Sequence, residues 1–418
     1  MGKRLLFITT RIFWPTDSGR KVSLYYYCKG LHEQYGYDIY LYSFLESGQS
    51  EELLLKKPDF IKEIRIATKI SKWEKIKNIF LKSFFLLKWP LQCSLYYNTQ
   101  NKKIISTYIQ TIKPDVVMVD MVRLAPYYDA FKHQSCLKIL DMDDLLSQRY
   151  ARQLGSSTKA SIAGQYSAGM TSIVNKIIGL KIIKDSILNL EKYLMKKAEL
   201  YYGNMYDKVI FVSQKECDVL NSSINNKAFA VPLGIYKEKF ELCQYNPDSS
   251  NHLCFVGNMA VAANVDTLHM IVKNILPKIK SKFDLIVIGK CPENLKEQYK
   301  AHKEIIFTGR VDVIYDHIRN ASLFLSPIAY GSGIKTKVLE AMAMQLPVIT
   351  NSIGAEGLDM VNKEHYVIED DYEKIANAVD YYLEHKEEAR KIAIEGQKSV
   401  FEKYDWNAIW KKFEDVLS

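Results

Sequence analysis

Between positions 331 and 340 the chain gathers groups that could hold a phosphorylated ligand: Gly331, Ser332, Gly333, Ile334, Lys335, Thr336 and, five residues beyond the lysine, Glu340. The glycines permit tight backbone turns that bare N–H groups, a helix start adds the positive end of its dipole, and Lys335 adds a full charge. Glu340 would lie about 7 Å along the helix axis from Lys335, and its carboxylate can accept from two neighbouring donors. The spacing excludes a P-loop, because Ile334 separates Gly333 from Lys335 and no glycine stands at the required earlier position. For the glycine loop alone, an ordinary strand-to-helix turn is the simpler reading.

A strand, a helix and a second strand must position these groups. The apolar run 323–325 reads as a buried strand that ends before Pro327, residues 335–345 read as a helix stopped ahead of Pro347, and residues 347–350 read as the next strand. Further strands are expected at 253–257, 285–288 and 305–307, each followed by a turn: Gly257-Asn258, Gly289-Lys290 and Gly309-Arg310. Such turns gather on one rim of a doubly wound sheet, which makes Arg310 a second cation for a bound anion. Residues 352–357 form another glycine loop on the same rim.

The first half repeats the alternation. A strand at 5–8, a loop with Gly19, Arg20 and Lys21, a helix at 22–33 and a strand at 37–44 form a β-loop-α-β start. Runs 115–119 and 137–140 read as buried strands, each followed by an acid, Asp120 and Asp141. Asp141, Asp143 and Asp144 together fit a metal site, an acid/base group, or helix-capping and arginine-paired roles. Residues 155–169 read as a mobile loop and 173–202 as a long basic helix. A strand at 228–234 closes the first domain. The spacing of Trp406, Ile409, Trp410, Phe413 and Val416 predicts a terminal amphipathic helix over 406–417.

Composition narrows the class. At 418 residues and 48% apolar content, two globular domains are expected. Seven cysteines stand singly, without a C-x-x-C pair, which favours buried thiols over a disulfide framework and offers no zinc site. No run is apolar enough to cross a bilayer, and residues 5–8 lead into polar ones rather than a signal peptide, so a cytoplasmic location is expected. Residues 53–113 hold thirteen basic and three acidic side chains, a local excess about equal to the formal +9 of the whole chain. From Lys69 to Trp89 that charge is interleaved with Trp, Phe, Ile and Leu, as at a membrane interface or on a solvated helix face. No nucleic-acid motif accompanies it.

With Glu340, Ala341, Met342, Ala343, Pro347 and Val348 in place after the glycine loop, the segment closely resembles the donor-site signature of the retaining family 4 glycosyltransferases. The resemblance covers about residues 250–360 and is diffuse before them. It implies an α/β protein of GT-B fold: two Rossmann-like doubly wound domains facing a central cleft, 1–234 on the acceptor side and 235–400 on the nucleotide-sugar side, with 401–418 crossing back. Within the first domain, 53–113 is expected as a basic helical region and 155–202 as a helical insertion. The implied reaction moves a sugar with retention from a UDP- or GDP-sugar to a glycan or lipid-linked acceptor, with no metal or other cofactor, in cell-surface polysaccharide or glycoconjugate synthesis. A place at the inner face of the cell membrane fits that role.

The same resemblance assigns residues. Glu340 takes the ribose hydroxyls, while Ser332 stands where the pattern has a first glutamate. Gly19, Gly257, Asn258, Gly331, Gly333, Ile334 and Thr336 line the donor, Lys335 and Arg310 meet the diphosphate charge, and Asp143 contacts the acceptor hydroxyl. Family members often have an arginine after the first glycine and a lysine some residues on; here those places hold Asn258 and, near Asn264, no lysine. A nucleotide-sugar epimerase of the same fold and a non-catalytic partner subunit are the alternatives.

Overall fold

Apolar runs that the sequence marks as strands become two wholly parallel sheets in a computed structural model describing residues 2–155, 181–246, 251–311, 314–318, 320–331 and 333–418. The first sheet comprises β1 (Lys3–Thr9), β2 (Tyr37–Ser43), β3 (Ile61–Ile66), β4 (Val116–Asp120), β5 (Leu137–Asp143), β6 (Lys208–Phe211) and β7 (Ala228–Ala230), in the order β3-β2-β1-β4-β5-β6-β7. The second comprises β8 (His252–Val256), β9 (Asp284–Ile288), β10 (Ile305–Gly309), β11 (Leu323–Leu325), β12 (Val348–Thr350) and β13 (Val367–Ile368), in the order β10-β9-β8-β11-β12-β13. Strands covered on both faces need continuous apolar sequence, and Leu5, Leu6, Phe7 and Ile8 are fully buried.

In each sheet the strand order reverses beside the first strand, between β1 and β4 and between β8 and β11. The crevice beyond the strand ends at such a reversal is where open α/β sheets take ligands. The described residues divide into two compact units, one holding those up to 155, 181–233 and 409–418, the other 234–408.

Three local differences from the sequence reading have physical causes. Residues 53–113 are not helical throughout, since β3 pairs in parallel with β2 through Ile39↔Ile61 and Leu41↔Ile64. Its charged residues suit an edge strand, which faces solvent along one side. Strand β5 runs on through Asp143, so Asp141 and Asp143 belong to the strand end and not to a loop after it. There the pairing with β6 shifts register between Asp141 and Asp143, and Asp143 adopts a φ of 66°. A bulge of this kind re-aims a side chain.

The third concerns the helix after the glycine loop, which spans Thr336–Ala343. It ends before Pro347 can act: Gln345 takes a φ of 59°, its N–H donates to Met342 O, and Leu346 N–H donates to Ala341 O. That pair of bonds closes a helix by a left-handed residue. The long basic helix spans Lys181–Met205, and residues 156–180, including nearly all of the expected mobile loop, lie outside the described residues. The terminal helix is two short ones, Trp406–Lys411 and Phe413–Leu417. Cys28, Cys93, Cys136, Cys217 and Cys254 are buried free thiols, with Cys243 and Cys291 half-buried.

Candidate functional site

The rim of the second sheet is assembled from backbone approaches that only small residues allow. Gly289 has a φ of 132°, and a Cβ there would stand 2.2 Å from Gly257 O, so the turns after β8 and β9 lie directly against each other. Gly257 N–H donates to Ile288 O, and Gly289 N–H donates to Gly309 O, tying three successive turns together. On the far side of β11, Asn351 accepts from Ile328 N–H and Gly354 N–H at 2.9 Å each and donates to Ile328 O, pinning the two glycine loops to one another. Thr350 donates to Ser326 O at 2.7 Å beneath them.

Lys335 stands at the N-cap of the helix, and its Nζ donates to Gly333 O at 2.5 Å. A Cβ on Gly331, whose φ is 159°, would come within 3.3 Å of Lys335 Cε, so the loop wraps the lysine stem. Ile334 and Thr336 are half-buried beside it; Gly333, with a φ of 67°, is buried. Ser332 lies outside the described residues. Glu340 is half-buried on the same helix with no side-chain hydrogen bond among the described residues. Burial pushes its carboxyl up to about 7, the charge of Lys239 pulling the other way.

The turn after β8 holds Gly257 half-buried and Asn258 exposed, with Asn258 Oδ1 accepting from Ala260 N–H at 3.0 Å. A lysine does reach this turn, from a direction the sequence reading did not consider. Lys337, one residue into the helix beyond Thr336, donates to Val256 O and Asn264 Oδ1 at 3.2 Å each and lies 4.7 Å over the Phe255 ring. Burial draws its pKa down to about 8, and the Lys335 charge adds to the effect. No carboxylate among the described residues pairs with Lys337. The missed signal is the helical spacing itself: Lys337 and Glu340 are three residues apart and therefore neighbours on one helix. Arg310 is exposed after β10 and has no ion pair among the described residues.

The first sheet's rim is built differently. Gly19 is exposed at the first turn of the helix Gly19–Glu33, and the next residue, Arg20, turns inward. Its guanidinium meets Asp120 Oδ1 at 2.5 Å, Asp141 Oδ2 at 2.9 Å and Asp143 Oδ1 at 3.2 Å. Thr10 adds its N–H and hydroxyl to Asp120. Burial favours proton loss from Arg20, but attraction to Asp141, Asp143 and Asp120 overrides it and holds the proton. Burial, with Asp120 and Asp143 nearby, raises Asp141 to about 7. Burial is also the main cause raising Asp143. Among the alternatives open for these acids, the structure supplies arginine pairing: Arg20 sits where a cation between the three would sit. Asp144 is separately paired with Arg149. Asp120 and Asp141 side chains are fully enclosed, whereas that of Asp143 keeps 20% exposure.

Comparison with known proteins adds the following. Residues 250–385 match the family model of the glycosyl transferases group 1. An uncharacterized 44.6 kDa protein in the cps region of Klebsiella pneumoniae is 25% identical over 247 residues, which is 53% of this chain and 61% of that protein. The sucrose-phosphate synthase of Thermosynechococcus elongatus superposes with a TM-score of 0.68 at 13% identity, covering 99% of this chain and 98% of that one. HepE of Anabaena, solved in complex with UDP, superposes with a TM-score of 0.66 at 10% identity, covering 99% of each chain. At such identities the superpositions show the fold. The match to the glycosyl transferases group 1 thus lies in residues 250–385, on a chain that shares the α/β fold of GT-B structures.

Proposed function

We propose that the protein transfers a sugar, with retention, from a UDP- or GDP-sugar bound on the second unit to a glycan or lipid-linked acceptor bound on the first, at an anionic membrane face and in the building of a surface polysaccharide. The observation that carries this reading is the helix Thr336–Ala343. It presents Lys337, a half-buried cation with no acid partner among the described residues, at the turn after β8, and Glu340, half-buried and without a side-chain hydrogen bond among them, three residues on. Both are costly to bury alone, and a nucleoside diphosphate satisfies both, phosphate oxygens at the lysine and ribose hydroxyls at the glutamate. The neighbourhood of β8 and β11, where the strand order reverses, is the expected place for it.

In the transfer, the acceptor oxygen bonds to the anomeric carbon while the bond to the phosphate oxygen breaks, its electron pair leaving on the nucleoside diphosphate. Lys335, Lys337 and Arg310 with the loop N–H groups stabilise that developing charge without calling on a divalent metal. The proton of the acceptor hydroxyl passes to the departing diphosphate oxygen as the new bond forms, and Asp143, the one partly exposed acid of its cluster, contacts that hydroxyl. The presence of UDP in the HepE structure and the cps-region origin of the Klebsiella relative support the donor class and the setting.

Calorimetric titration with UDP, GDP and their sugars tests the reading: saturable binding of one nucleotide is expected. No binding at millimolar concentration would favour a non-catalytic partner subunit. Incubation with the bound nucleotide-sugar and no acceptor should yield no new sugar isomer; an isomer would make the protein an epimerase.

A further inference from the structure

The segment from Lys69 to Trp89 is built inside out. Its helix, Lys72–Asn78, continues as a more widely wound stretch, Ile79–Phe85. Between its core-packed ends, Ile70 and Trp89, the segment turns polar residues toward the protein: Asn78 donates to Ser94 O and Tyr97 O, at 3.3 and 2.7 Å, and buried Ser83 shares a hydrogen bond with Ser94 at 2.8 Å. The residues it turns outward are apolar. Trp73 is 81% exposed, Phe80 64% and Phe85 72%, with Ile76, Phe84 and Leu87 also exposed. Exposed apolar side chains thus recur at 73, 76, 80, 81 and 84–87, from the helix through the widely wound stretch to its end. An ordinary surface helix does the reverse and faces its apolar stripe to the core.

Charge selects the occupant. Lys69, Lys72, Lys77 and Lys88 are exposed beside these side chains, and no ion pair holds any of them among the described residues. Glu74 is the one acid in the segment. A large apolar surface with tryptophan and phenylalanine, bordered by uncompensated lysines, matches the boundary of an anionic bilayer, where rings enter the acyl edge and ammonium groups meet headgroup phosphates. We infer that residues 69–89 form a membrane-docking surface for anionic lipid, entered by Trp73, Phe80 and Phe85 and held by the flanking lysines. The inference deepens the reading of a membrane-face enzyme with a lipid-linked acceptor and rests on it for its purpose.

The protein carries its own reporter. Of five tryptophans, Trp14, Trp89, Trp406 and Trp410 are 6% exposed or less, so only Trp73 can meet lipid directly. The full chain, mixed with phosphatidylglycerol vesicles at about 0.1 M salt, should partition at least about tenfold more than into phosphatidylcholine vesicles, with the preference fading as salt rises. Lipids brominated along the acyl chain should quench the emission, and Trp73→Phe should abolish the quenching. Phe80→Ser with Phe85→Ser should lower partition about tenfold or more while leaving the circular dichroism spectrum and calorimetric nucleotide binding unchanged. Equal partition into the two vesicle types, or emission untouched by brominated lipid, would overturn the inference. So would a dimer in sedimentation that the double serine variant dissolves, since a second copy would then be the occupant. Nucleotide titration needs no vesicles, so a failure of the enzymatic reading would show there and a failure of docking only here.

Discussion

The two sheets end in the same topology and opposite electrostatics. At the reversal between β1 and β4, one cation, Arg20, is surrounded by three carboxylates, so acidic groups outnumber the base there. At the reversal between β8 and β11, half-buried Lys337 packs against a carbonyl, an amide and a ring, with a second lysine as its charged neighbour. A buried charge met by fixed partners serves the fold, whereas one left without them is held at a cost that a ligand can remove. Fold alone therefore does not say which crevice takes an anion, and the proposed donor site rests on the difference in counter-charges.

The contrast is most severely tested by removing Arg20. Arg20→Ala strands two enclosed acids, Asp120 and Asp141, beside the partly exposed Asp143 and should destabilise the protein by about 3–5 kcal/mol, read by denaturant unfolding. A loss under about 1 kcal/mol would show that the cluster does not hold the first sheet's rim. The opposite pattern is expected at the second rim: Lys335→Ala should leave unfolding nearly unchanged and cut turnover by roughly 100–1,000-fold, as when one stabilising donor for a developing anion is lost. An unchanged rate would remove Lys335 from the chemistry.

Smaller effects sharpen the picture. Glu340→Ala should weaken nucleoside diphosphate binding by about 1.5–3 kcal/mol, and Glu340→Gln by less, because one acceptor remains. Equal affinity in both variants would end the ribose assignment. The weakest effect is on pH. Glu340 titrates near 7 in the free protein and must be ionised to accept from both hydroxyls, so affinity should fall as pH drops through 7. Lys337 titrates near 8 and must be protonated to meet phosphate, so affinity should fall again as pH rises through 8. Titration across pH 6 to 9 should trace a shallow maximum between them, and Lys337→Met should flatten its alkaline side.

Much of this was legible in the chain. Uninterrupted apolar runs gave away the central strands of both sheets, and the glycines just after β8 and β9 and at the end of β10 marked the rim, because those signals are local. Strand β3 was obscured since Ile61-Lys-Glu-Ile-Arg-Ile66 carries the charge of its basic surroundings and draws its pairing from β2. The Arg20 cluster joins an arginine to acids 100 to 123 positions further along, which no local pattern records. Lys337 was passed over because a cation for the turn after β8 was sought in that turn, and it arrives from a helix some eighty residues later.

Residues 409–418 belong with the first unit although the whole of the second precedes them in the chain. Trp410 fills the space over Gly30, where a Cβ would lie 2.2 Å from its ring, and Phe413 meets the Tyr27 ring edge-on at 5.3 Å. During synthesis the first unit consequently emerges with that face uncovered and waits through the making of some 175 residues of the second. Folding of the earlier unit cannot finish in the order in which it is made, and its open face is where a nascent chain would recruit a chaperone or stick to its neighbour on the polysome.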